Sequence, residues 1–265
     1  MTKIEALEHF TVDHDGVRIA VSRGGAGRLL VFAPGLTSTQ AELHELLTLL
    51  RRDFEVVSFD LRGHGRSSAA DHYSFAGFGR DLGAVLADLR RRGRDAAPIL
   101  AGHSLGADLI VQHAAEAPGA AAELVLLDGA NPLPEPFLTE ADLPEFRAMW
   151  EEAAKWHALH SGTPRRVALT AAQILDLNRE LDRIRLGLLD RYRRVRCPVH
   201  LIAATAMAGT EGRAPRHNRL WRSGYDRLLA AHPGIDVTWV DAGHGLVVTH
   251  AAAVADIVRS TLEPC

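Results

Sequence analysis

Short apolar runs recur along this chain with helically spaced stretches between them, and that alternation restricts the fold more than any other feature. Arg28-Leu29-Leu30-Val31-Phe32-Ala33, Phe54 to Phe59, Pro98-Ile99-Leu100-Ala101, Leu124 to Asp128 and Val199 to Ala204 are short and mostly apolar. Runs of this kind are strands covered on both faces. Helical patterns separate them at residues 40–50, 75–92 and 107–116, and return at 221–231 and 247–262, with a last strand at Val237 to Val240. In 75–92, Phe75, Phe78, Leu82, Val85, Leu86 and Leu89 fall on one side. Strands that alternate with helices through short loops predict an α/β fold: a mostly parallel twisted sheet with helices on both faces. The start differs. Residues 10–14 and 17–21 alternate polar and apolar around Asp15-Gly16, which is a hairpin signal.

The rhythm breaks after Asp128. No convincing strand lies between about Asn131 and Arg194. Asn131-Pro132-Leu133-Pro134-Glu135-Pro136 is a rigid, non-helical exit. Thr139 to Asp142 resembles a capping box, but Pro144 close behind it places the helix start later. Thr163-Pro164 reads as a second helix start, with threonine capping and proline in the first position. The expected organisation is a core of residues 1–130 and 195–265 with a helical cap at 131–194. Most apolar residues of that cap should pack it onto the core. Two of the four tryptophans fall there, at 150 and 156, and a cap over the carboxyl edge of the sheet would help to form an apolar pocket. Trp150 is the candidate substrate contact. His157, His160, Arg165 and Arg166 read as facing solvent.

Composition narrows the function classes. The formal net charge is -3, and the arginine clusters at 90–92 and 191–194 are short and offset by acids elsewhere. That balance argues against nucleic acid or an acidic membrane surface as a main partner. The N-terminus has no apolar signal region, and no apolar run is long enough for a membrane span. Two cysteines, Cys197 and Cys265, make neither a disulfide framework nor a metal pattern. These features predict a cytoplasmic domain that needs no cofactor or metal; its oligomeric state is not written in them.

The chemistry centres on Gly102-His103-Ser104-Leu105-Gly106, which lies between an apolar strand and a helix. A serine between two glycines at such a junction is a nucleophile elbow, a tight turn that lifts the hydroxyl clear of the sheet. A hydroxyl becomes a competent nucleophile only when a base takes its proton, so the rest of the chain must supply one.

Four stretches together resemble the α/β-hydrolase superfamily: Ala33-Pro34-Gly35-Leu36, Asp60-Leu61-Arg62-Gly63-His64-Gly65-Arg66-Ser67, the elbow, and Asp241-Ala242-Gly243-His244. They come in the family's order, with a helical cap where many members carry one. The resemblance implies hydrolysis through an acyl-enzyme, with Ser104 as nucleophile and His244, in a glycine-flanked loop after the last strand, as base. His250 is the rival histidine and belongs to the closing helix. His64 and His103 fall where the family uses a histidine for packing or hydrogen bonding. Backbone N–H groups of Leu36 and Leu105 are the implied oxyanion donors.

The acid departs from the commonest family pattern. After the strand at 199–204 the chain reads Thr205-Ala206-Met207-Ala208-Gly209-Thr210-Glu211, with no aspartate. Asp128, at the end of the strand after the elbow helix, and Glu211 both keep the order serine, acid, histidine. Asp128 is preferred, because a strand end fixes and buries a carboxylate better than a glycine-bounded loop. The expected substrate is a small hydrophobic ester, lactone or thioester. The same residues could serve acyl transfer, cyclisation or carbon–carbon cleavage, and a receptor with negligible turnover is the reading from another class.

Overall fold

The computed structural model describes residues 7–262. Cys265 and most of the N-terminal stretch considered for a signal lie outside them. Eight strands form one sheet in the order β1-β2-β4-β3-β5-β6-β7-β8: β1 (Glu8–His14), β2 (Val17–Gly24), β3 (Arg28–Ala33), β4 (Phe54–Phe59), β5 (Ile99–His103), β6 (Glu123–Leu127), β7 (Val199–Ala204) and β8 (Asp236–Val240). The β1–β2 hairpin turns where expected, with Asp15 and Gly16 both at positive φ (55° and 73°) and His14 opposite Val17. Two such residues in a row match the twist of antiparallel strands. Strand β2 also pairs antiparallel with β4, and every pairing among β3 to β8 is parallel.

Alternate residues of one strand feed two separate cores. Leu30 and Phe32 of β3 pack on one face with α1 (His44–Leu50) and α9 (Ala251–Leu262). Val31 and Ala33 pack on the other with α2 (Phe75–Arg91) and α3 (Leu105–Glu116). Burial on both faces is why these strands read as apolar runs instead of alternating ones. The register also aligns the strand ends: Ala33 lies opposite Gly102, His103 opposite Leu127, and Ala204 opposite Val240. Whatever follows β3, β5, β6, β7 and β8 therefore collects at one edge.

Between β6 and β7 lie three helices: α4 (Leu143–Leu159), α5 (Ala171–Leu186) and α6 (Leu188–Tyr192). Thr163-Pro164 does not start a helix. Residues 163–169 instead run against the 62–67 loop, where Arg166 donates to the carbonyls of Gly65 and Ser67 and His64 bridges Val167. Arg166 is thus tied down and His157 is buried, although both were expected to face water. The second long helix begins at Ala171, where Thr170 and Gln173 form a reciprocal capping box. The first long helix begins at Leu143, just ahead of Pro144, and the Asp142 side chain does not cap it. Instead Asp142 accepts hydrogen bonds from Thr139 and Arg213.

Two other elements differ from the pattern. The first helix spans only His44–Leu50, because Gln40 is drawn off to Asp60 and to the Ala20 carbonyl. The closing helix is broken at His250, giving a short α8 (Leu246–Thr249) before α9. Upstream, α7 (Ala214–Ala231) starts a full two turns before Trp221. No helix among the described residues is long and apolar enough to cross a membrane.

Candidate active site

Ser104 follows β5 as the N-cap of α3, and its own backbone carries the bend: φ is 52° and ψ is -118°. A non-glycine residue there is strained, and such strain concentrates at sites whose surroundings hold it in place. The flanking glycines serve a different need from the one the motif implies, since neither takes positive φ. A Cβ on Gly106 would lie 2.0 Å from the Ala33 carbonyl oxygen, and one on Gly102 would lie 2.5 Å from the Gly106 backbone. They let helix and strands close up behind the serine.

His244 and Asp128 arrive at the same edge. His244 Nε2 is 2.9 Å from Ser104 Oγ, and His244 Nδ1 is 2.7 Å from Asp128 Oδ2. A carboxylate only accepts, so Nδ1 carries the ring proton and Nε2 is left to accept from the serine hydroxyl. Asp128 is fully buried at the end of β6, and its other oxygen accepts from Ala204 N–H (3.1 Å) and from the indole Nε1–H of Trp221 (2.9 Å). Its φ is 43°, a left-handed conformation that aspartate tolerates better than most residues. Glu211 is exposed and makes no bond to His244; His250 is exposed and faces Thr249.

The turn after β3 brings Leu36 beside the elbow. Ser38 N–H donates to the Gly35 carbonyl, and Thr37 takes φ of 72°. Gly35 is needed for proximity, since a Cβ there would lie 2.8 Å from His103 Nδ1 and 3.3 Å from Ser104 Cβ. Leu105 is the first residue of α3, so its N–H has no partner inside the helix and stands at the positive end of the helix dipole. Among the described residues, neither Leu36 N–H nor Leu105 N–H is spent on another backbone carbonyl.

His64 and His103 hold this frame. Buried His64 donates from Nδ1 to the Arg62 carbonyl and accepts at Nε2 from Thr37 N–H, fixing the turn that carries Leu36. Buried His103 donates from Nε2 to the His244 carbonyl at 2.8 Å. Burial depresses both, to about 4 for His64 and about 3 for His103, so each stays neutral as its hydrogen bonds require.

Above the serine lies a cavity of about 440 Å³. Its walls include Leu36, Phe137 and Trp150, with Met207 on one side and Val248 at the rim. Phe137 stacks on His217 and meets Trp221 edge-on. The wall is thus largely aromatic and aliphatic, with Ser104 and His244 lining it together with the carboxylates of Glu42, Glu145 and Glu211. Asp182 and Arg185 also line it, but Arg185 is committed to buried Asp108, with Nη2 2.6 Å from Oδ2.

Sequence reasoning missed Trp221, Arg185 and Asp108. One signal was available. In α7, Trp221 and Tyr225 are one turn apart on a buried stripe, and buried aromatics with polar tips need partners. Tyr225 OH donates to the Gly129 carbonyl, Tyr192 OH to that of Ala130, and Asn131 Nδ2 to that of Trp221. The segment after Asp128 is stapled in place from these helices. Among the described residues, no group of three or more His, Cys, Asp or Glu side chains is arranged to hold a metal ion.

Comparison with known proteins agrees with this fold. The profile of the alpha/beta hydrolase family matches residues 30–257. Over 127 residues the chain is 32% identical to a 2-(acetamidomethylene)succinate hydrolase of Mesorhizobium japonicum, covering 46% of this chain and 44% of that protein. It is 31% identical over 127 residues to a non-heme haloperoxidase of Rhodococcus erythropolis, covering 47% and 45%. The chain therefore spans less than half the length of these curated relatives. The crystal structure of E-2-(acetamidomethylene)succinate hydrolase superposes with a TM-score of 0.68 at 21% identity, over 96% of this chain and all of that one. Likeness at that identity is likeness of fold.

Proposed function

Because the chain belongs to the alpha/beta hydrolase family, we propose that it is a serine hydrolase that cleaves a carboxylic ester, lactone or thioester of a hydrophobic substrate through an acyl-enzyme. The observation that carries the reading is the unbroken hydrogen-bonded line from Asp128 through His244 to Ser104 at the base of the cavity. Ser104 Oγ attacks the carbonyl carbon as His244 Nε2 takes its proton, and the Leu36 and Leu105 amides receive the developing oxyanion. Asp128 keeps the imidazole in the Nδ1–H tautomer and stabilises the imidazolium. The imidazolium then protonates the leaving alcohol or thiol. Water, deprotonated by His244, attacks the acyl carbonyl, and collapse of the intermediate returns the serine and releases the acid.

The mostly apolar cavity wall, including Trp150, supports a hydrophobic acyl or lactone substrate. The reading takes the enzyme as cytoplasmic and as working without metal or cofactor. A fluorophosphonate probe tests the covalent step: the wild-type chain should label and Ser104→Ala should not. A panel of activated esters, lactones and thioesters then assigns the bond. No labelling, together with no turnover across the panel, would overturn the proposal.

A further inference from the structure

Asp128 Oδ1 has two donors, and only one of them is backbone. The Ala204 amide belongs to β7 and is present whatever the side chains are; the Trp221 indole is a choice of residue. Together they fix the plane of the carboxylate and leave Oδ2 for His244 Nδ1. The indole itself is held. Its ring meets the His244 ring edge-on at 6.1 Å and Tyr225 at 6.0 Å, and its backbone carbonyl accepts from Asn131. The Arg185 guanidinium sits 5.2 Å over the indole, anchored by both oxygens of Asp108 on the first turn of α3.

We propose that Trp221 is a positioning residue: its indole N–H aims the Asp128 carboxylate at His244 and moderates the pull of that carboxylate on the imidazolium. This rests on the reading of His244 as base. A hydrogen bond to a carboxylate stabilises its charge and draws density from its oxygens. Losing the indole N–H concentrates that charge on the bond to His244 Nδ1, favours the imidazolium and raises the pH at which His244 titrates. A substitution that merely loosened packing would lower activity without this directed shift.

Other charged or titratable groups surround His244. His103 lies beside it from β5 and Asp108 acts on it from α3, while Arg185 sits over the Trp221 ring from α5, Tyr225 of α7 faces Trp221, and Glu211 lines the same cavity. The test must leave all of these unchanged. In the full chain, Trp221 is replaced by β-(3-benzothienyl)alanine, which keeps the ring shape and exchanges the N–H for sulfur. The His244 imidazole is then titrated by NMR, its signal assigned by loss in His244→Gln. The expected result is a rise in the His244 midpoint of about 0.5 pH unit or more. With an activated ester, kcat should fall roughly three- to tenfold with KM near that of the wild type.

A midpoint within about 0.1 unit of the wild type overturns the proposal, because the N–H then exerts no hold on the pair. The NMR readout does not depend on turnover. A wild-type chain that neither labels nor turns over ester would refute the hydrolase reading, while the shift in midpoint still decides the role of Trp221.

Discussion

Replacing Asp128 by asparagine changes one atom of the site, and the structure dictates how the new side chain must sit. Oδ1 faces two donors, Ala204 N–H and Trp221 Nε1–H, so the amide oxygen has to take that place. The amide NH2 is left facing His244 Nδ1 across the former 2.7 Å bond. Nδ1 can then only accept, which moves the ring proton to Nε2, where it donates toward Ser104 and cannot receive the hydroxyl proton. Restoring the productive tautomer leaves two donors facing each other, at about 1–3 kcal/mol for the unsatisfied group, and forfeits a charge-assisted bond of about 1.5–3 kcal/mol. The total of about 3–6 kcal/mol is roughly a 10²- to 10⁴-fold loss in kcat. The assay is steady-state hydrolysis of an activated ester at pH 7–8, with circular dichroism to show that the variant folds. Asp128→Asn retaining more than a tenth of wild-type kcat would refute the reasoning.

Four further outcomes follow from the same geometry. Glu211→Gln should keep kcat within about twofold on a neutral ester, because the exposed carboxylate contacts neither Ser104 nor His244; a loss matching that of Asp128→Asn would transfer the acid role. Gly106→Ala forces a methyl to within 2.0 Å of the Ala33 carbonyl and should lower stability by at least about 3 kcal/mol in urea unfolding, or prevent folding. Thr170→Ala removes half of the capping box and should cost about 1 kcal/mol by the same measurement. The chain should also lose stability as the pH drops below 6.5. His64 and His103 titrate at about 4 and about 3 when folded but near the ordinary value when unfolded, so the unfolded chain binds more protons between those limits. Each contributes a slope of about 1.4 kcal/mol per pH unit there, and His103→Gln should flatten the curve if urea midpoints are followed from pH 7.5 to 4.5.

What the sequence disclosed was local. Strand boundaries at Arg28–Ala33, Phe54–Phe59 and Val199–Ala204 are legible because burial on both faces leaves a continuous apolar run. Ser104, His244 and Asp128 are legible because each lies just past a strand, so a parallel sheet delivers them to one edge. Trp221 was hidden because its contact with Asp128 spans 93 residues and depends on how α7 seats against β6, which no periodicity encodes. Arg185 and Asp108 are hidden in the same way, 77 residues apart. The helix start expected at Thr163-Pro164 fails for the opposite reason: the local cap signal is present, but the chain closes a single turn there and Arg166 gains two carbonyl partners on the 62–67 loop. Tertiary hydrogen bonds outweighed a local preference.

With Asp128 as the proposed acid at the end of β6, the segment after β7 is left without that duty. Up to Met207 that segment is committed, since the Met207 carbonyl accepts the His244 amide. Beyond it, Ala208 and Glu211 border the cavity; Ala208 and Gly209 are tied to Asn218 of α7 and Arg213 to Asp142, and none of residues 208–213 is bonded to Ser104, His244 or Asp128. This stretch is a replaceable wall panel: its length and side chains can be rebuilt to admit a larger or differently shaped acyl group while the proton relay stays untouched. Libraries confined to 208–212, which leave the Arg213–Asp142 pair intact, should therefore alter which substrates are accepted far more often than they abolish turnover, a freedom unavailable where one loop must hold the acid and shape the pocket together.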